Sequence, residues 1–510
     1  MNLCDLVIQR AESAPDAPAL AGPEGTLTYG ALDRMANRFA HALAHYGVKR
    51  GERVGIWLDK SPAALAAMQG ILRLHAIYVP LDPLSPAPRI GTIIRDCAIR
   101  VLITTGQRAE RVRTADLQHM HCLCPQESAS GLNWNLLATF PDTPLAEGDC
   151  AEHEVAYILY TSGSTGQPKG VCISNRNALA FVDWASQLLQ ARPHDRFANH
   201  APLHFDLSVL DIYAAFAAGA MVFLIPDTVS FLPHYLVDCI VREQLTIWYS
   251  VPSVLTLMMD FAGLLDLATL PLRAILFAGE PFPVKHLKRL YQRWSATTRL
   301  CNLYGPTETN VCTFYEVTHL PTHAMPTVPI GRACSGDRVW ARKEDGSTAQ
   351  PGEKGELLVA GPTVMVGYWG QPEQGEQPYA TGDLVQLQAD GTYLYLGRLD
   401  HMLKVRGHRI EPHEIETTLE QHPAVAEVAV IAAGQDLESR LIAFIVAAAS
   451  ARPRLLDLKR HCAERLPRYM IIDEAHFVSE IPRTRNGKID RLALFTLFSN
   501  ESRKTAHAAN

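Results

Sequence analysis

The chain has 510 residues, of which 47% are hydrophobic and 20% are charged, and its formal net charge is −6. This composition is typical of a globular protein, and the length predicts about two to four domains. The net negative charge argues against binding to nucleic acid or to an anionic membrane surface. No apolar run approaches the length of a membrane span, the N-terminus lacks signal-peptide features, and the 11 cysteines show no paired spacing. We therefore expect a cytoplasmic protein.

Strands and helices alternate through the N-terminal half of the chain. Short apolar runs predict buried strands, and apolar residues at helical spacing predict amphipathic helices. In chain order the predicted elements are a helix over 3–13, a strand over Gly25–Tyr29, a helix over 30–46, a strand over Arg53–Leu58, a helix over Pro62–Leu74, strands over Ile77–Leu81, Val101–Thr104 and Val155–Tyr160, helices over Arg176–Leu188 and Leu207–Ala218, and strands over Met221–Ile225, Thr246–Ser250 and Ala274–Phe277. This alternation predicts an α/β fold with parallel sheets and helices on both faces.

The pattern changes in the C-terminal part of the chain. Glycines separate short strands over about 325–396, which is typical of a small β-barrel subdomain. A new segment follows, with helices and strands of its own, and it predicts a small α+β domain. Its predicted elements are a helix over Glu411–Gln421, strands over Val425–Ile431 and Leu441–Val446, and a helix over Leu455–Arg465. We place the domain boundary between residues 1–399 and residues 400–510.

One stretch, from Tyr160 to Gly170, concentrates residue types that bind anions. It follows the predicted strand Val155–Tyr160 and contains three glycines, four hydroxyl side chains and Lys169. Backbone N–H groups converging around glycines, with hydroxyl donors and a lysine, suit phosphate oxygens. The spacing does not fit the Walker pattern, because no Ser or Thr follows the lysine. A solvated Ser/Gly turn is the alternative interpretation.

Further stretches carry groups that suit a nucleotide and a carboxylate substrate. An aromatic side chain could stack on a base, a carboxylate could hold Mg²⁺, and an Asp after a glycine turn could accept bonds from ribose hydroxyls. These stretches are Tyr304–Glu308, Tyr379–Asp383, Gly397–Asp400, Ala278–Glu280 and Asn486–Lys488. Taken singly, each could also be an ordinary turn, an Asx-turn or a surface lysine.

In their order and content these stretches resemble the adenylate-forming enzyme family, in particular the free-standing amino-acid-activating adenylation domains of nonribosomal peptide synthetases. The resemblance runs from Leu27–Tyr29 to Asn486–Arg491, and Gly355–Leu357 and Leu466–Met470 match it as well. His75 and Ile471 depart from the family pattern, and we interpret both as packing variation. The resemblance implies a large N-terminal domain of two parallel-rich sheets with helices and a small β-barrel subdomain, followed by a small α+β domain.

The resemblance also implies a ligase that uses ATP and Mg²⁺ to form an acyl-adenylate and pyrophosphate. It implies Lys488, Thr307, Glu308, Lys404 and Asp400 as catalytic residues, with Glu308 on the metal. Lys488 would bridge the substrate carboxylate and the α-phosphate. The nucleotide-binding residues that it implies are Thr161, Ser162, Gly163, Ser164, Thr165, Gly166, Lys169, Gly279, Glu280, Asn302, Tyr304, Gly305, Thr307, Asp383 and Arg398.

In the resembling enzymes the C-terminal domain rotates between two half-reactions, and the second one is attack of a thiol on the adenylate. Asp400 corresponds to the hinge, and Lys404 would face the second half-reaction. The C-terminal domain, 400–510, is therefore expected to act as a mobile lid. Only 22 residues follow Lys488, with no carrier segment among them. We expect transfer to a separate phosphopantetheinylated peptidyl carrier protein.

The acid that is activated is implied by the family's specificity positions. Asp206 would pair with the ammonium of an amino acid, although it could instead cap the helix that begins at Leu207. The other positions are Leu207, Leu210, Tyr249, Leu276, Ala278, Leu303, Val311, Cys312 and Lys488. The walls are uncharged and favour a compact aliphatic amino acid, and as a set they resemble those of proline-activating domains. Related enzymes often supply pathways of antibiotic biosynthesis in which a bound prolyl group is oxidised to a pyrrole.

Several alternatives stay open at the level of sequence. One methylene is worth only about 1–3 kcal/mol in such a pocket, so D-alanine, valine or pipecolate are alternative substrates. An acyl-CoA ligase would share the first step, but Asp206 argues against it. A catalytically inactive nucleotide-binding scaffold is a further alternative, and the presence of Lys169, Glu308, Asp383, Arg398 and Lys488 argues against that one.

Overall fold

The computed structural model describes residues 1–113, 120–124, 131–145, 151–163, 166–320, 327–399, 402–434, 438–448, 453–483, 489–491 and 493–498. The chain divides into two compact units. The first unit comprises Met1–Pro83, Gly91–Tyr160 and Gly170–Leu399, and the second comprises Leu84–Ile90, Thr161–Lys169 and Asp400–Asn510.

The described helices and strands alternate as the sequence predicts. The helices are α1 (Asp5–Ser13), α2 (Tyr29–His45), α3 (Pro62–Arg73), α4 (Ala87–Asp96), α5 (Gly106–Arg113), α6 (Asn175–Leu189), α7 (Leu207–Val209), α8 (Ala215–Ala218), α9 (Pro233–Arg242), α10 (Pro252–Phe261), α11 (Val284–Trp294), α12 (Pro412–Glu420) and α13 (Leu455–Ala463). The strands are β1 (Pro18–Gly22), β2 (Gly25–Thr28), β3 (Arg53–Trp57), β4 (Ile77–Pro80), β5 (Val101–Thr104), β6 (His121–Cys124), β7 (Gly131–Asn133), β8 (Val155–Thr161), β9 (Lys169–Ser174), β10 (Arg196–Asn199), β11 (Met221–Leu224), β12 (Ile247–Ser250), β13 (Ala274–Phe277), β14 (Arg299–Tyr304), β15 (Thr313–Glu316), β16 (Arg332–Ala333), β17 (Arg338–Arg342), β18 (Lys354–Ala360), β19 (Gly367–Tyr368), β20 (Tyr379–Leu387), β21 (Tyr393–Arg398), β22 (Leu403–Val405), β23 (His408–Ile410), β24 (Val425–Ala433), β25 (Arg440–Ala447) and β26 (Glu474–Phe477).

Two large sheets form the first unit. The nine-stranded sheet has the order β16-β15-β14-β13-β12-β10-β11-β1-β2, and its strands from β14 to β1 pair in parallel. The eight-stranded sheet has the order β19-β9-β8-β4-β3-β5-β6-β7, and β4, β3, β5, β6 and β7 pair in parallel. Parallel strands joined by helices are what the alternating sequence pattern predicts.

The main hydrophobic core joins the two sheets through the helices between them. Buried side chains of α2, α3, α6 and α8 pack in one cluster with residues of β3, β4 and β8 and of β10, β12 and β13. A second cluster lies between the other face of the nine-stranded sheet and α9, α10 and α11. Each large sheet is therefore held by apolar burial against helices, the dominant favourable contribution to folding.

Local sequence features fix where the core helices begin and how closely they approach. Thr28 caps α2 by accepting from the Ala31 N–H, and Ser61 caps α3 in the same way ahead of Pro62. At the crossing of α2 and α3, a Cβ on Gly70 would lie 2.6 Å from the Phe39 Cβ. Only glycine fits there without moving one helix away from the other.

The glycine-rich part of the chain forms an antiparallel sheet of four strands in the order β17-β18-β20-β21. The sequence predicts a barrel here, but β17 and β21 are the edges of the observed sheet. Two neighbouring short strands, β16 and β19, pair instead with the two large sheets. Turn glycines predict the strands but do not predict the partner of each edge.

The second unit has its own sheet and core. Strands β24, β25 and β26 form a sheet in that order, and β22 and β23 form a hairpin. The helices α12 and α13 contribute Ile415, Leu419, Leu458 and Cys462 to a core beneath this sheet. The small α+β architecture is therefore confirmed.

One predicted helix is interrupted. The sequence predicts a continuous helix over Leu207–Ala218, but a π-helical turn over Leu210–Ala214 separates α7 from α8. A π turn widens a helix by one residue and often occurs at functional sites. Among the described residues, no helix is both long and apolar enough to cross a membrane.

Candidate active site

The carboxyl ends of the parallel strands carry much of the predicted substrate pocket. Tyr249 in β12 pairs with Leu276 in β13, and Leu303 lies near the end of the next strand, β14. Ala278 follows β13 directly. Because parallel strands run in the same direction, the residues at their ends meet along one edge of the sheet, where α/β proteins bind ligands.

The predicted pocket positions share an apolar environment. Among the apolar positions, all except Cys312 lie in or against the main core, whereas Cys312 lies with Tyr304 in a neighbouring cluster. The buried members are Leu210, Tyr249, Leu276, Ala278, Leu303, Val311 and Cys312, and Leu207 is partly buried. Since these walls carry no charge, they suit an aliphatic ligand.

Asp206 provides a carboxylate in this apolar environment. It precedes α7, but its side chain makes no capping bond. Its Oδ2 instead accepts a hydrogen bond of 2.7 Å from the Thr307 hydroxyl. Burial raises the pKa of Tyr249 well above the usual value, and the negative charge of Asp206 is the next cause. Burial also raises the pKa of Tyr157 well above the usual value, followed by the interaction with Tyr213 and then by the charge of Asp206. A carboxylate placed among buried rings favours a cationic partner.

A tight loop presents Thr307 and Glu308. Cys312 N–H bonds to the Tyr304 carbonyl at 2.9 Å and closes the loop. A Cβ on Gly305 would lie 1.5 Å from the Asn310 carbonyl oxygen, so only glycine fits at that position. Asn310 itself has a left-handed φ of 51°. The loop therefore has a fixed geometry that directs the Thr307 hydroxyl towards Asp206.

Glu308 is fully buried next to this loop. Its Oε1 accepts a 2.7 Å bond from the Tyr368 hydroxyl, and its carbonyl accepts a bond from the Met365 N–H. These contacts hold the carboxylate in one orientation. A single oriented carboxylate suits Mg²⁺, which takes one or two protein carboxylates together with phosphate oxygens.

Three predicted nucleotide residues form a buried network. The Tyr304 hydroxyl bonds to Asp383 Oδ2, and Arg398 donates to Asp383 Oδ1 at 3.0 Å and to the Thr381 carbonyl at 2.8 Å. Burial, followed by the charge of Asp383, raises the pKa of Tyr304 well above its usual value. Each carboxylate oxygen has a second lone pair, so Asp383 keeps acceptor capacity for ribose hydroxyls.

The remaining predicted nucleotide residues at this edge have protein partners. Gly279 has a φ of 88°, and Glu280 Oε2 accepts from the Ser253 N–H at 3.1 Å near the start of α10. The Asn302 amide donates to the Pro329 carbonyl at 2.7 Å. Glu280 and Asn302 therefore also stabilise the loops around the strand ends.

The glycine-rich stretch lies between β8 and β9. Ser162 is 5% exposed, and its hydroxyl donates to the Arg409 carbonyl at 2.9 Å inside the second unit. A Cβ on Gly163 would lie 2.0 Å from the Gln167 carbonyl oxygen, and Gly166 has a φ of 78°. Thr161 is the last residue of β8, and Lys169 is the first residue of β9.

Four of the predicted site residues lie outside the described residues: Ser164, Thr165, Asp400 and Lys488. Lys404 belongs to β22, but its side chain is not among those described. The roles predicted for these five residues, like those of the other site residues, stay predictions. Groups of three or more His, Cys, Asp or Glu side chains that could hold a metal do not occur in the described ranges.

The structure also brings residues to the site that sequence reasoning missed. Tyr368 orients Glu308. Buried Asp211 lies in the π-helical turn that begins at Leu210, and buried Lys60 is connected to it through Asn199. Asp211 had a recognisable signal, because it is a lone charge in the apolar run Leu207–Phe216. Lys60 lacked such a signal, since a lysine after a strand is usually exposed.

Comparison with known proteins identifies the family of the chain. Residues 7–369 match the AMP-binding enzyme family, and residues 414–488 match the AMP-binding enzyme C-terminal domain. The chain therefore belongs to the AMP-binding, adenylate-forming enzymes, as its sequence motifs predict.

Two curated relatives and one solved structure illustrate the similarity. The chain is 48% identical to an L-proline--[L-prolyl-carrier protein] ligase of Pseudomonas fluorescens, over 94% of this chain and 96% of the relative. It is 37% identical to an enzyme of the same name from Streptomyces coelicolor, over 93% and 92%. The Vibrio cholerae adenylation domain AlmE, solved with glycyl-adenosine-5'-phosphate, superposes with a TM-score of 0.82 at 25% identity, covering 98% of each chain. The α/β fold class is thereby confirmed.

Proposed function

We propose that this protein activates L-proline with ATP as prolyl-adenylate and transfers the prolyl group to the phosphopantetheine thiol of a separate peptidyl carrier protein. The observation that carries the proposal is the carboxylate of Asp206 beside the uncharged, apolar walls that the described pocket residues form. The two relatives named as L-proline--[L-prolyl-carrier protein] ligases, aligned over more than nine-tenths of the chain, support the same assignment.

The chemistry of the pocket favours proline over charged or larger amino acids. The secondary ammonium of proline has two N–H donors, and Asp206 can accept one of them. The ring would lie against Leu207, Leu210, Leu276 and Val311, and Leu303 would limit the depth of the pocket. An acidic or basic side chain would be buried there without a partner, which is unfavourable.

In the first half-reaction a carboxylate oxygen of proline attacks the α-phosphorus of ATP, the bond from that phosphorus to the bridging oxygen breaks, and pyrophosphate leaves. The protein must reduce repulsion between anions and orient them. Asp206 binds the amino group of the substrate. Thr307 lies between the Asp206 carboxylate and the α-phosphate, and Asp383 binds the ribose together with Arg398. We assign Lys488 to the bridge between carboxylate and α-phosphate, and Tyr304 to the adenine ring.

The glycine-rich stretch is assigned to the departing phosphates. Its donors are Thr161, Ser162, Gly163, Ser164, Thr165, Gly166 and Lys169. Glu308 fits a magnesium ion, because it is a buried carboxylate held in place by Tyr368. When bound, Mg²⁺ neutralises phosphate charge during the displacement.

In the second half-reaction the carrier thiol attacks the acyl carbon, the thioester forms and AMP leaves. We propose that residues 1–399 form the adenylation core, that 400–510 form a lid, and that Asp400 is the hinge between the two half-reactions, with Lys404 facing the second. The reducing cytoplasm, where thiols persist, is the compartment that we propose for this chemistry.

A substrate-dependent pyrophosphate exchange screen tests the first half of the proposal. The screen covers the twenty amino acids, D-proline, D-alanine and pipecolate. We expect L-proline to give the highest kcat/KM, because its ring and its two ammonium donors match the pocket. A different best substrate would contradict the assignment to proline.

Transfer is tested by mass spectrometry with two acceptors, a phosphopantetheinylated carrier protein and free coenzyme A. Prolyl-carrier thioester should form, with little or no prolyl-CoA. Preference for coenzyme A would instead identify an acyl-CoA ligase.

The hinge is tested with Asp400→Pro, which restricts the backbone φ at that residue. Pyrophosphate exchange should remain while thioester formation is lost. Equal loss of both activities would refute the hinge assignment.

A further inference from the structure

A buried polar cluster is bonded to the helix turn that contains Leu210, and the mechanism above does not use it. The Lys60 side chain is 0% exposed. Its Nζ donates to the carbonyls of Asn199 and His200 at 3.0 and 2.9 Å and lies 3.7 Å from Asp227 Oδ1. Lys60 follows β3 of one large sheet, whereas Asn199 ends β10 of the other. The ammonium therefore connects the two sheets at the carboxyl ends of their strands.

The cluster continues from Asn199 to the helix that forms one wall of the pocket. The Asn199 amide donates to Asp211 Oδ2 at 3.2 Å and to the Ala201 carbonyl at 3.4 Å. Asp211 is 1% exposed and lies in the π-helical turn over Leu210–Ala214. A buried carboxylate without compensation is costly, so this contact fixes where the turn can lie.

The charges in the cluster depend on each other. Burial lowers the pKa of Lys60 to about 8, and the charges of Asp227 and Asp211 oppose that effect. Burial raises the pKa of Asp211 well above its usual value, and the Asn199 hydrogen bond and the Lys60 charge oppose it. Removing Lys60 would leave both carboxyl groups without their cation.

Asp211 lies immediately after the residues that face the proposed substrate. Asp206 and Leu210 are four residues apart, and Leu207 and Leu210 are three apart, which are the spacings of neighbours on one helical face. The π turn begins at Leu210 and is held by the hydrogen bond from Asn199 to Asp211. The widened turn therefore also sets the direction of the helical face that carries Asp206, Leu207 and Leu210.

We infer that Lys60 and Asp211 are positioning residues for amino-acid recognition. Acting through Asn199, they hold the turn that places Asp206, Leu207 and Leu210 in the pocket, and neither touches the substrate. The inference rests on the proposed function only in that the pocket binds the amino acid that is activated, whichever amino acid that is.

The chain offers a matched control at the opposite end of β10. Arg273 donates to Asp195 Oδ1 and Oδ2 at 2.7 and 2.6 Å, and Asp195 is fully buried directly before β10. This ion pair borders the same strand as Asn199 but lies at the end away from the pocket. Arg273 also donates to the carbonyls of Leu189 and Gln190 at the end of α6. Arg273→Met therefore removes contacts at the end of the sheet away from the pocket, and none of these hydrogen bonds involves the pocket helix.

The experiment measures KM for the amino acid and KM for ATP by pyrophosphate exchange, together with the Tm of each variant. The amino acid is the one that gives the highest exchange with the wild-type enzyme, so a substrate other than proline alters the proposed function without affecting this test. Lys60→Met should raise KM for the amino acid by roughly tenfold or more and leave KM for ATP within about twofold. Arg273→Met should lower Tm and leave both KM values unchanged.

A second pair of variants keeps the test valid if Lys60→Met does not fold. Asp211→Asn retains an acceptor for the Asn199 amide and should keep a near wild-type KM for the amino acid. Asp211→Leu removes the acceptor and should raise that KM selectively. Equal changes in both KM values, or no change with Asp211→Leu, would overturn the inference, because a structural role alone does not separate the two substrates.

Discussion

The two ends of the parallel strands in the nine-stranded sheet both carry buried ion pairs, but their surroundings differ. At the amino ends, Asp195 accepts from Arg273 and from Thr246, and each of these residues precedes a strand. At the carboxyl ends, Lys60 pairs with Asp227 and connects through Asn199 to Asp211. The first network leads to the carbonyls of Leu189 and Gln190 at the end of α6, whereas the second leads to the helix turn beside the pocket.

The difference shows that the role of a buried charge, in recognition or in stability, depends on which end of the parallel strands it occupies. In a parallel sheet the carboxyl ends collect the loops that bind ligands, and the amino ends collect structural contacts. Similar ion pairs at the two ends should therefore have different consequences when they are broken: lost recognition at one end and lost stability at the other.

Among variants at the carboxyl ends of the strands, Asp206→Asn should cause the largest loss of amino-acid activation. The variant keeps the shape and the acceptor for Thr307 but removes the charge that pairs with the substrate ammonium. We expect kcat/KM for the amino acid to fall by roughly 100-fold, about 3 kcal/mol, while KM for ATP stays close to wild type. Steady-state pyrophosphate exchange measures both, and an equal loss for the two substrates would contradict the assignment.

Glu308→Gln should also act at the carboxyl ends of the strands, but by weakening the binding of Mg²⁺. The hydrogen bond from Tyr368 can persist, while a neutral amide holds Mg²⁺ less well. We expect kcat to fall by about tenfold or more and to recover partly at high magnesium concentration. Tyr368→Phe is the matched control, since it removes the hydrogen bond but keeps the carboxylate. A magnesium titration that is the same for Glu308→Gln and wild type would exclude Glu308 as a ligand.

Arg273→Met should affect stability and not recognition. It leaves the buried Asp195 carboxylate without its cation, and we expect a loss of about 3 kcal/mol in the free energy of unfolding, the low end for such pairs because Arg273 is 29% exposed. Urea unfolding at pH 7 measures the loss. Raised KM values for the amino acid in this variant would contradict the comparison between the two strand ends.

The same pair predicts a pH dependence. Burial acts to raise the pKa of Asp195, but hydrogen bonds from Arg273, the Arg192 N–H and Thr246 outweigh it, so the pKa is lowered. A depressed carboxyl pKa contributes stability above the unfolded pKa of about 4, and that stability is lost as the pH falls through the folded pKa. The difference in Tm between wild type and Arg273→Met should therefore shrink below about pH 4. A constant difference from pH 7 to pH 3 would show that the Asp195 charge is not involved.

The smallest effect should come from His75, which lies before β4 at the amino end of the other sheet. Its φ of 52° is left-handed, and its Nδ1 lies 3.5 Å from Glu154 Oε2. His75→Gly should relieve the backbone strain and raise the free energy of unfolding by about 0.5 kcal/mol, because glycine's own entropic cost offsets part of the gain. His75→Ala, which keeps a Cβ at that φ, should be less stable than His75→Gly. Chemical denaturation of the two variants gives the comparison, and the reverse order would exclude strain as the cause.

The sequence by itself determined the alternation of strands and helices, the bounds of several elements and the chemical types at the site. The strands Val101–Thr104 and Ala274–Phe277 have the predicted bounds, because short apolar runs between turns leave few alternatives. The stretches that contain Glu308 and Asp383 carry groups that suit Mg²⁺ and ribose, and the resemblance to the family implies their roles. The α/β class followed from the alternation of elements, and the family from the order of the motifs.

Only the tertiary structure decided which of these groups meet. Thr307 bonds to Asp206 across 101 residues, and Lys60 bonds to Asn199 across 139. The π turn at Leu210 was likewise not predicted, because its position depends on where Asp211 is bonded. Local patterns report helix or strand period and turn chemistry, whereas contacts between distant residues depend on the order and register of the strands, and no local pattern contains that information.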